Sequence, residues 1–446
     1  MEKFKILTLN CWAVMPPMAT VRKDDRVNYL IKRLLDGVFD IVMLQEIWLD
    51  EDYKKLKDSL KSVYPYCIRF QSHFHGSGLC ILTKWTVDNV FFHQYTINGY
   101  PHLVTEPDWY CGKGVGVVRV TSKNGFRINL YDTHLIARYA LDRDKDRFDA
   151  HRLVQITELI QLIRFSSSSA DAIIVTGDFN LSSSTPAINL FRSFLGVSDA
   201  WLNNEAAAGK PVEALEFEGC TCDRPDNPYR NDAWAKYYGN GERLDYIFYR
   251  SGTGPVDPEL SPNLVQFRCH SCWLEMREVA EDVSGLHYSD HEGVAAEFTL
   301  TRLNPSKAIE KPKLSSAEAV EQLITKLISR VDRGISIGNK RRRTHFSVGL
   351  FTMLGLIMIF SCAPGFGAFG IRFALCISAV AGALCFMLFW GVAVGHRCNR
   401  KALECGRVAL DIMLQQNHRK PRPKESGDEV ETSRRMGLKD SGEVME

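Results

Sequence analysis

What the 446-residue chain lacks narrows its function before any motif is read. It has no excess of charge of either sign: 55 basic against 53 acidic side chains leave a formal net charge of +2. That balance gives no support to a general nucleic-acid binder, which would carry a basic excess. The 13 cysteines follow no regular spacing, and Cys80, Cys362, Cys376 and Cys385 sit inside strand-like or apolar runs. They read as reduced thiols facing the cytosol rather than as a disulfide framework. The opening "MEKFKILTLNCW" interleaves acid and base with a short apolar run and does not read as a secretory leader. No solenoid-period repeat and no GxxxxGK loop occurs.

Two stretches lack charge altogether, residues 346–363 and 373–395, with Pro364, several glycines and Arg372 between them. Each approaches the ~20 residues that span a bilayer. "KRRR" at residues 340–343 and "HRCNRK" at 396–401 flank the pair, and two spans return the chain to the side it left. Positive flanks mark that side as cytosolic. The expectation is a two-span, multi-pass membrane protein with its catalytic domain and tail in the cytosol. The organelle is left open among the endoplasmic reticulum, another internal membrane and the plasma membrane.

Before these spans the chain alternates short apolar strands with a few helices. Strands are predicted at "KILTLN", "FDIVMLQE", "GLCILT", "GVGVVRVTS", "FRINLYDTHL", "AIIVTGDFN", "RLDYIFYR" and "GVAAEFTLTR". One helix places Leu30, Leu34 and Leu35 on a face, and another repeats Ile156, Leu159, Ile160 and Ile163 at helical spacing. Many strands with few helices predict an α+β arrangement of packed sheets. Residues 1–303 form the expected catalytic domain and 304–343 a linker with an amphipathic helix. That helix starts at a capping box of Ser315 and Glu318, and its stripe of Val320, Leu323, Ile324, Leu327, Ile328 and Val331 suits either the globular domain or the membrane interface. The two spans fill 344–396, at about 346–366 and 373–395, and a charged, disordered tail is expected over 397–446. A chain ending near Asn304 is expected to fold alone.

The chemistry gathers at strand ends. Asn10 closes "LTLNCW", Glu46 lies in "VMLQEIW", Asp132 and His134 in "LYDTHL", Asp178 and Asn180 in "VTGDFN", Asp245 in "RLDYIFY", and Asp290 and His291 in "YSDHEG". One acid after a strand is usually a turn residue, but six such stretches in one chain are not all caps. Carboxylates and amides without a Cys/His cluster favour a hard cation such as Mg²⁺, with Mn²⁺ as a substitute. Two histidines beside acids supply a base and a proton donor. The set points to metal-assisted attack of water on a phosphorus ester. "CTC" (Cys220, Cys222) and "CHSC" (Cys269, His270, Cys272) read as free thiols in loops, and "GKG" around Lys113 is not a nucleotide loop.

In this order, Asn10, Glu46, the "THL" histidine, "GDFN", "RLDYIFY" and "SDH" resemble the metal-dependent phosphoesterase superfamily of DNase I, abasic-site endonucleases, inositol-polyphosphate 5-phosphatases and sphingomyelinases. "LNCWAV", "LQEIW", "GSGLCILTKW", "INGYP", "DWYCGKGVG", "THLIARY" and "AHRLVQ", with two C-terminal spans, look like the neutral, Mg²⁺-dependent membrane sphingomyelinases of animals. The resemblance implies a DNase I-like sandwich: two mixed β-sheets between helices, with the site at one edge. It implies that Glu46 holds Mg²⁺ with Asn10 beside it, that His291 is the general base oriented by Asp245, and that His134 donates to a non-bridging oxygen. Asp178 and Asn180 would position water or phosphate, and Asp290 would support the metal or His291; the separate jobs of Asp178 and Asp290 are not resolved. Trp109 and Tyr110 could cage choline by cation–π contact. The implied reaction is a phospholipase C-type cut of sphingomyelin to ceramide and phosphocholine, with no nucleic-acid partner and the oligomeric state open. Lyso-phosphocholine lipids, a phosphoinositide phosphatase, a nuclease and a catalytically dead scaffold are the competing readings.

Overall fold

The structure is a computed structural model that describes residues 1–419 apart from 15–19, 104, 253–263, 281, 283, 304–315, 363, 364 and 366. The expected linker at 304–315, with Ser315, and the tail beyond 419 lie outside the described residues.

Twelve strands among the described residues form two six-stranded sheets. The first contains β1 (Glu2–Ala13), β2 (Ile41–Ile47), β3 (Tyr66–Arg69), β4 (Cys80–Thr83), β11 (Leu264–Glu275) and β12 (Gly293–Leu303), in the order β11-β12-β1-β2-β4-β3. The second contains β5 (Thr86–Gln94), β6 (Gly114–Thr121), β7 (Arg127–His134), β8 (Ala172–Asp178), β9 (Ser198–Asp199) and β10 (Asp245–Ser251), in the order β5-β6-β7-β8-β10-β9. Both sheets are mixed: β1 runs parallel to β2 but antiparallel to β12, and β7 runs parallel to β8 but antiparallel to β6. The expected sandwich of two mixed sheets is therefore present.

Its centre is a layer of side chains that alternate inward from both sheets, with Ile6, Met43 and Phe298 meeting Leu130, Ile174 and Ile247. The central strands read as unbroken apolar runs because helices cover their outer faces. Helices α1 (Lys23–Leu35) and α2 (Asp50–Leu60) cover the first sheet. In α1, Val27, Leu30, Ile31 and Leu34 are buried, but Leu35 faces solvent, one position past the apolar stripe. The short α3 (Asp108–Cys111) leads into β6, and α4 (Asp149–Ser166) and α5 (Pro186–Leu195) cover the second sheet. Two further one-to-two-turn helices, α6 (Val212–Glu218) and α7 (Asp232–Tyr238), lie between β9 and β10.

The C-terminal region differs from expectation. Helix α8 (Ala317–Cys362) runs unbroken through both the expected amphipathic helix and the first apolar span. Its described cap is Ser316, whose Oγ accepts from the Ala319 N–H at 3.1 Å. Helix α9 (Gly367–Trp390) passes through one π-helical turn, Gly391–Gly395, into α10 (His396–His418). Residues 396–418 are thus a docked helix rather than disordered tail. Val320, Ile324, Leu327 and Val331 of α8 and Leu403, Leu410 and Met413 of α10 join the core formed by α4 and the second sheet. This explains why α4 is buried all round: Ile156, Leu159, Ile160 and Ile163 are joined inside by Ala150, Leu153 and Val154. The stripe of α8 faces the globular domain. Beyond it, α8 and α9 pack against each other, with the Phe346 and Phe389 rings 5.9 Å apart, while Phe351, Met358, Phe369, Val380 and Phe386 are each at least 70% exposed. Two helices here are long and apolar enough to cross a bilayer.

Candidate active site

Parallel pairing of β1 with β2 and of β7 with β8 puts the ends of these four strands at one edge of the sandwich, where β10 and the loop before β12 also start. All eleven residues predicted from the sequence are described, and eight of them converge at or beside this edge. Asn10 Nδ2 donates to Glu46 Oε1 and to Asp178 Oδ2, each at 3.1 Å, and its Oδ1 accepts from the Trp12 N–H. The amide therefore ties the two acids together and presents nitrogen, not oxygen, to Glu46. His134 and Asp178 are register partners, and His134 Nε2 lies 3.3 Å from Asp178 Oδ2 and 4.0 Å from Glu46 Oε1. Asp245 is the register partner of Asp178 on its other side. Its Oδ2 lies 2.8 Å from His291 Nδ1 and accepts from Thr221 Oγ1 at 2.6 Å.

The backbone is strained where the chemistry gathers. Glu46 has a φ of 61° and Asn180 a φ of 48°, in the left-handed region that side chains with a Cβ disfavour. Asn180 is held there because its N–H donates to Asp178 Oδ1 at 2.8 Å and its Nδ2 to the Leu135 carbonyl at 3.1 Å. Gly177, with a φ of 129°, is required because a Cβ would fall on the Thr133 carbonyl oxygen of the neighbouring strand. The "TGDFN" turn ends a strand and locks an acid and an amide in place.

Asp132, two residues before His134, is buried in the core instead, where Gln45 Nε2 donates to it at 2.6 Å. Trp109 and Tyr110 sit in α3. Trp109 makes edge contact with Trp390 at 6.4 Å, and the Tyr110 hydroxyl donates to the Pro101 carbonyl at 2.7 Å. Cys269 and Cys272 lie in edge strand β11 rather than in a loop, whereas Cys222 forms a β-bridge to His291; all are free thiols.

Several participants were missed. Lys113, from the discounted "GKG", is buried, with Nζ 3.0 Å from His134 Nε2 and 2.6 Å from Asp108 Oδ1. A lysine held between glycines at the start of a strand was the available signal. Ser289 Oγ donates to the Asn10 carbonyl at 2.6 Å, joining the β12 loop to β1. Buried Arg26 donates to the carbonyls of Cys11, Trp12 and Tyr288, fixing the same two segments.

These contacts set the charge states. Burial alone would raise Asp178, but His134 and Lys113 hold its carboxyl well below the usual range. Burial pushes Asp290 up to about 7, with the Glu46 charge adding to it. Burial works against charge on His291, yet the Cys222 and Asp245 side chains facing it raise it well above an ordinary imidazole. Lys113→Met should lower turnover about 10- to 100-fold, since a buried charged hydrogen bond contributes ~1.5–3 kcal/mol. Initial rates of the variant check this, and unchanged rates would remove Lys113 from the site.

A model of the Endonuclease/Exonuclease/phosphatase family matches residues 7–291. The "Putative neutral sphingomyelinase" of Caenorhabditis elegans is 31% identical over 434 residues, covering 93% of this chain and 91% of that protein. "Sphingomyelin phosphodiesterase 2" of Mus musculus is 29% identical over 383 residues, 85% of each chain. Among solved structures, TDP2 of D. rerio in complex with a single-strand DNA product aligns at a TM-score of 0.48 and 20% identity, over 67% of this chain and 100% of that one. The chain belongs to the Endonuclease/Exonuclease/phosphatase family, as a hydrolase of the branch whose members are named neutral sphingomyelinases.

Proposed function

We propose that this enzyme cleaves sphingomyelin to ceramide and phosphocholine in a Mg²⁺-dependent, phospholipase C-type reaction at the cytosolic face of a membrane. The observation that carries the reading is the Asp245–His291 pair set beside the Asn10, Glu46, Asp178 and His134 cluster at one edge of the sandwich. The names of the relatives support the choline sphingolipid, and the two exposed apolar helices support a membrane setting.

The donor set fits a hard divalent cation. Glu46 and Asp290 are acids near enough for the charge of one to raise the other, the repulsion that a cation between oxygen ligands relieves. Glu46 would hold Mg²⁺, or Mn²⁺ in its place, with Asp290 in support and Asn10 orienting the Glu46 carboxylate. Bound there, the cation neutralises charge developing on a phosphate oxygen.

The chain's own groups do the rest. His291 Nδ1–H donates to Asp245, which fixes the tautomer and leaves Nε2 to take a proton from water attacking phosphorus opposite the ceramide oxygen. Asp178 and Asn180 hold the water and phosphate in line. His134 donates to a non-bridging oxygen, and Lys113 beside it adds positive charge where the transition state gathers negative charge. Trp109 and Tyr110 would meet the choline cation.

Glu46→Gln keeps the shape but weakens the cation site, so phosphocholine release from sphingomyelin vesicles should fall about 10²-fold and recover in part at raised Mg²⁺. Full activity of the unmodified enzyme in excess chelator would contradict the metal requirement. Preferred release of head group from lyso-phosphocholine lipids would move the substrate to that class.

A further inference from the structure

Three histidines far apart in sequence meet at the junction of the catalytic domain and the apolar hairpin. His102 lies in the loop between β5 and β6, His345 in α8 just before the first apolar run, and His396 at the start of α10 just after the second. His396 Nε2 is 3.0 Å from His345 Nδ1. One ring nitrogen from each of the three lies within 4.8 Å of the other two. The ring centroids are 4.9 to 5.5 Å apart.

The buried Nδ1 atoms of His102 and His396 have no hydrogen-bond partner among the described residues. Polar atoms buried without a partner call for an explanation. Gly391 and Gly395 line the same spot, with His102 Nδ1 3.3 Å from where a Gly391 Cβ would stand.

We propose that His102, His345 and His396 form a site for a borderline divalent transition metal of the Zn²⁺ type. Three imidazoles suit such an ion, whereas the oxygen-rich active site suits Mg²⁺. Tetrahedral Zn–N bonds of about 2.0–2.1 Å place ligand nitrogens about 3.4 Å apart, so closing on the ion needs only small side-chain movements. Water would take the fourth position. The ion would join the β5–β6 loop, which continues into Asp108 and Lys113 of the active site, to both cytosolic ends of the hairpin. It is a positioning site and touches no reacting atom.

The test uses the full-length protein in detergent, equilibrated with Zn²⁺, freed of loose metal and measured for bound zinc by mass spectrometry. Co²⁺ exchange followed by visible absorption reports coordination. The expected result is about one zinc per chain in the wild type and in Glu46→Gln, and a drop of at least tenfold in His345→Asn and in His396→Asn. Co²⁺ should give the intense visible bands of a four-coordinate site in the wild type and in Glu46→Gln, and not in the two histidine variants. Hydrolysis of a water-soluble phosphocholine ester by both histidine variants verifies that they are folded, and their activity on vesicles should fall several-fold. No retained zinc in the wild type, or equal zinc in the folded histidine variants, would overturn the proposal and leave the three rings as a hydrogen-bonded cluster.

Discussion

Replacing His291 by alanine should lower turnover about 10²- to 10⁴-fold, the range that loss of a general base produces, while thermal unfolding shows an intact fold. Asp245 keeps its hydrogen bond from Thr221 in that variant, so the cavity does not orphan the acid entirely. The pH dependence follows from the same pair. A base works deprotonated, and Cys222 and Asp245 raise His291 well above an ordinary imidazole despite burial. The rate should therefore climb with pH through a midpoint above the ordinary value of about 6.5. Asp245→Asn removes a negative charge and should move that midpoint down while lowering the plateau. Wild-type turnover in His291→Ala would place the base elsewhere.

Cutting the chain after residue 303 should unfold the enzyme, not merely detach it from membranes. Val320, Ile324, Leu327, Val331, Leu403, Leu410 and Met413, all at most 5% exposed, come from beyond that point. Each buried side chain of this size contributes about 1.5–3 kcal/mol, so their joint loss matches or exceeds the about 5–15 kcal/mol by which a typical domain is stable. The opposite outcome is expected when only residues 346–395 are replaced by a short glycine–serine linker. α8 up to His345 and α10 then stay docked, and a water-soluble phosphocholine ester should be hydrolysed at near wild-type rate. Vesicle hydrolysis should fall about 10²-fold, because anchoring raises the effective concentration at the bilayer. A soluble, cooperatively melting chain of residues 1–303 would show that α8 and α10 are dispensable to the core.

The contrast between these deletions marks where sequence was informative. Central strands are apolar on both faces, so β1, β2, β7, β8, β10 and β12 stood out as continuous runs, with the site residues at their ends. Edge strands did not: β5 is largely exposed, and β11 is broken by the bulge between Cys269 and Ser271, so it read as loop. The docking of α10 was hidden because its buried positions are spaced between charges such as Arg400, Glu404 and Arg407, a pattern that suits a solvated tail equally well. In the site, acids and histidines were visible because strand ends rarely need them. Lys113 was not, because its partners His134 and Asp108 are brought to it by β7 and α3 rather than by sequence spacing.

The most direct test of the proposed reaction is hydrolysis of mixed sphingomyelin, lyso-phosphocholine and phosphoinositide vesicles by the full-length enzyme with Mg²⁺ in ¹⁸O-labelled water, with products identified by mass spectrometry. Attack of water on phosphorus with the ceramide oxygen leaving predicts unlabelled ceramide and phosphocholine carrying one ¹⁸O, formed at least about 10²-fold more slowly by Glu46→Gln and His291→Ala. Label in the lipid product, release of inorganic phosphate from the phosphoinositide, or no cleavage of sphingomyelin would contradict it.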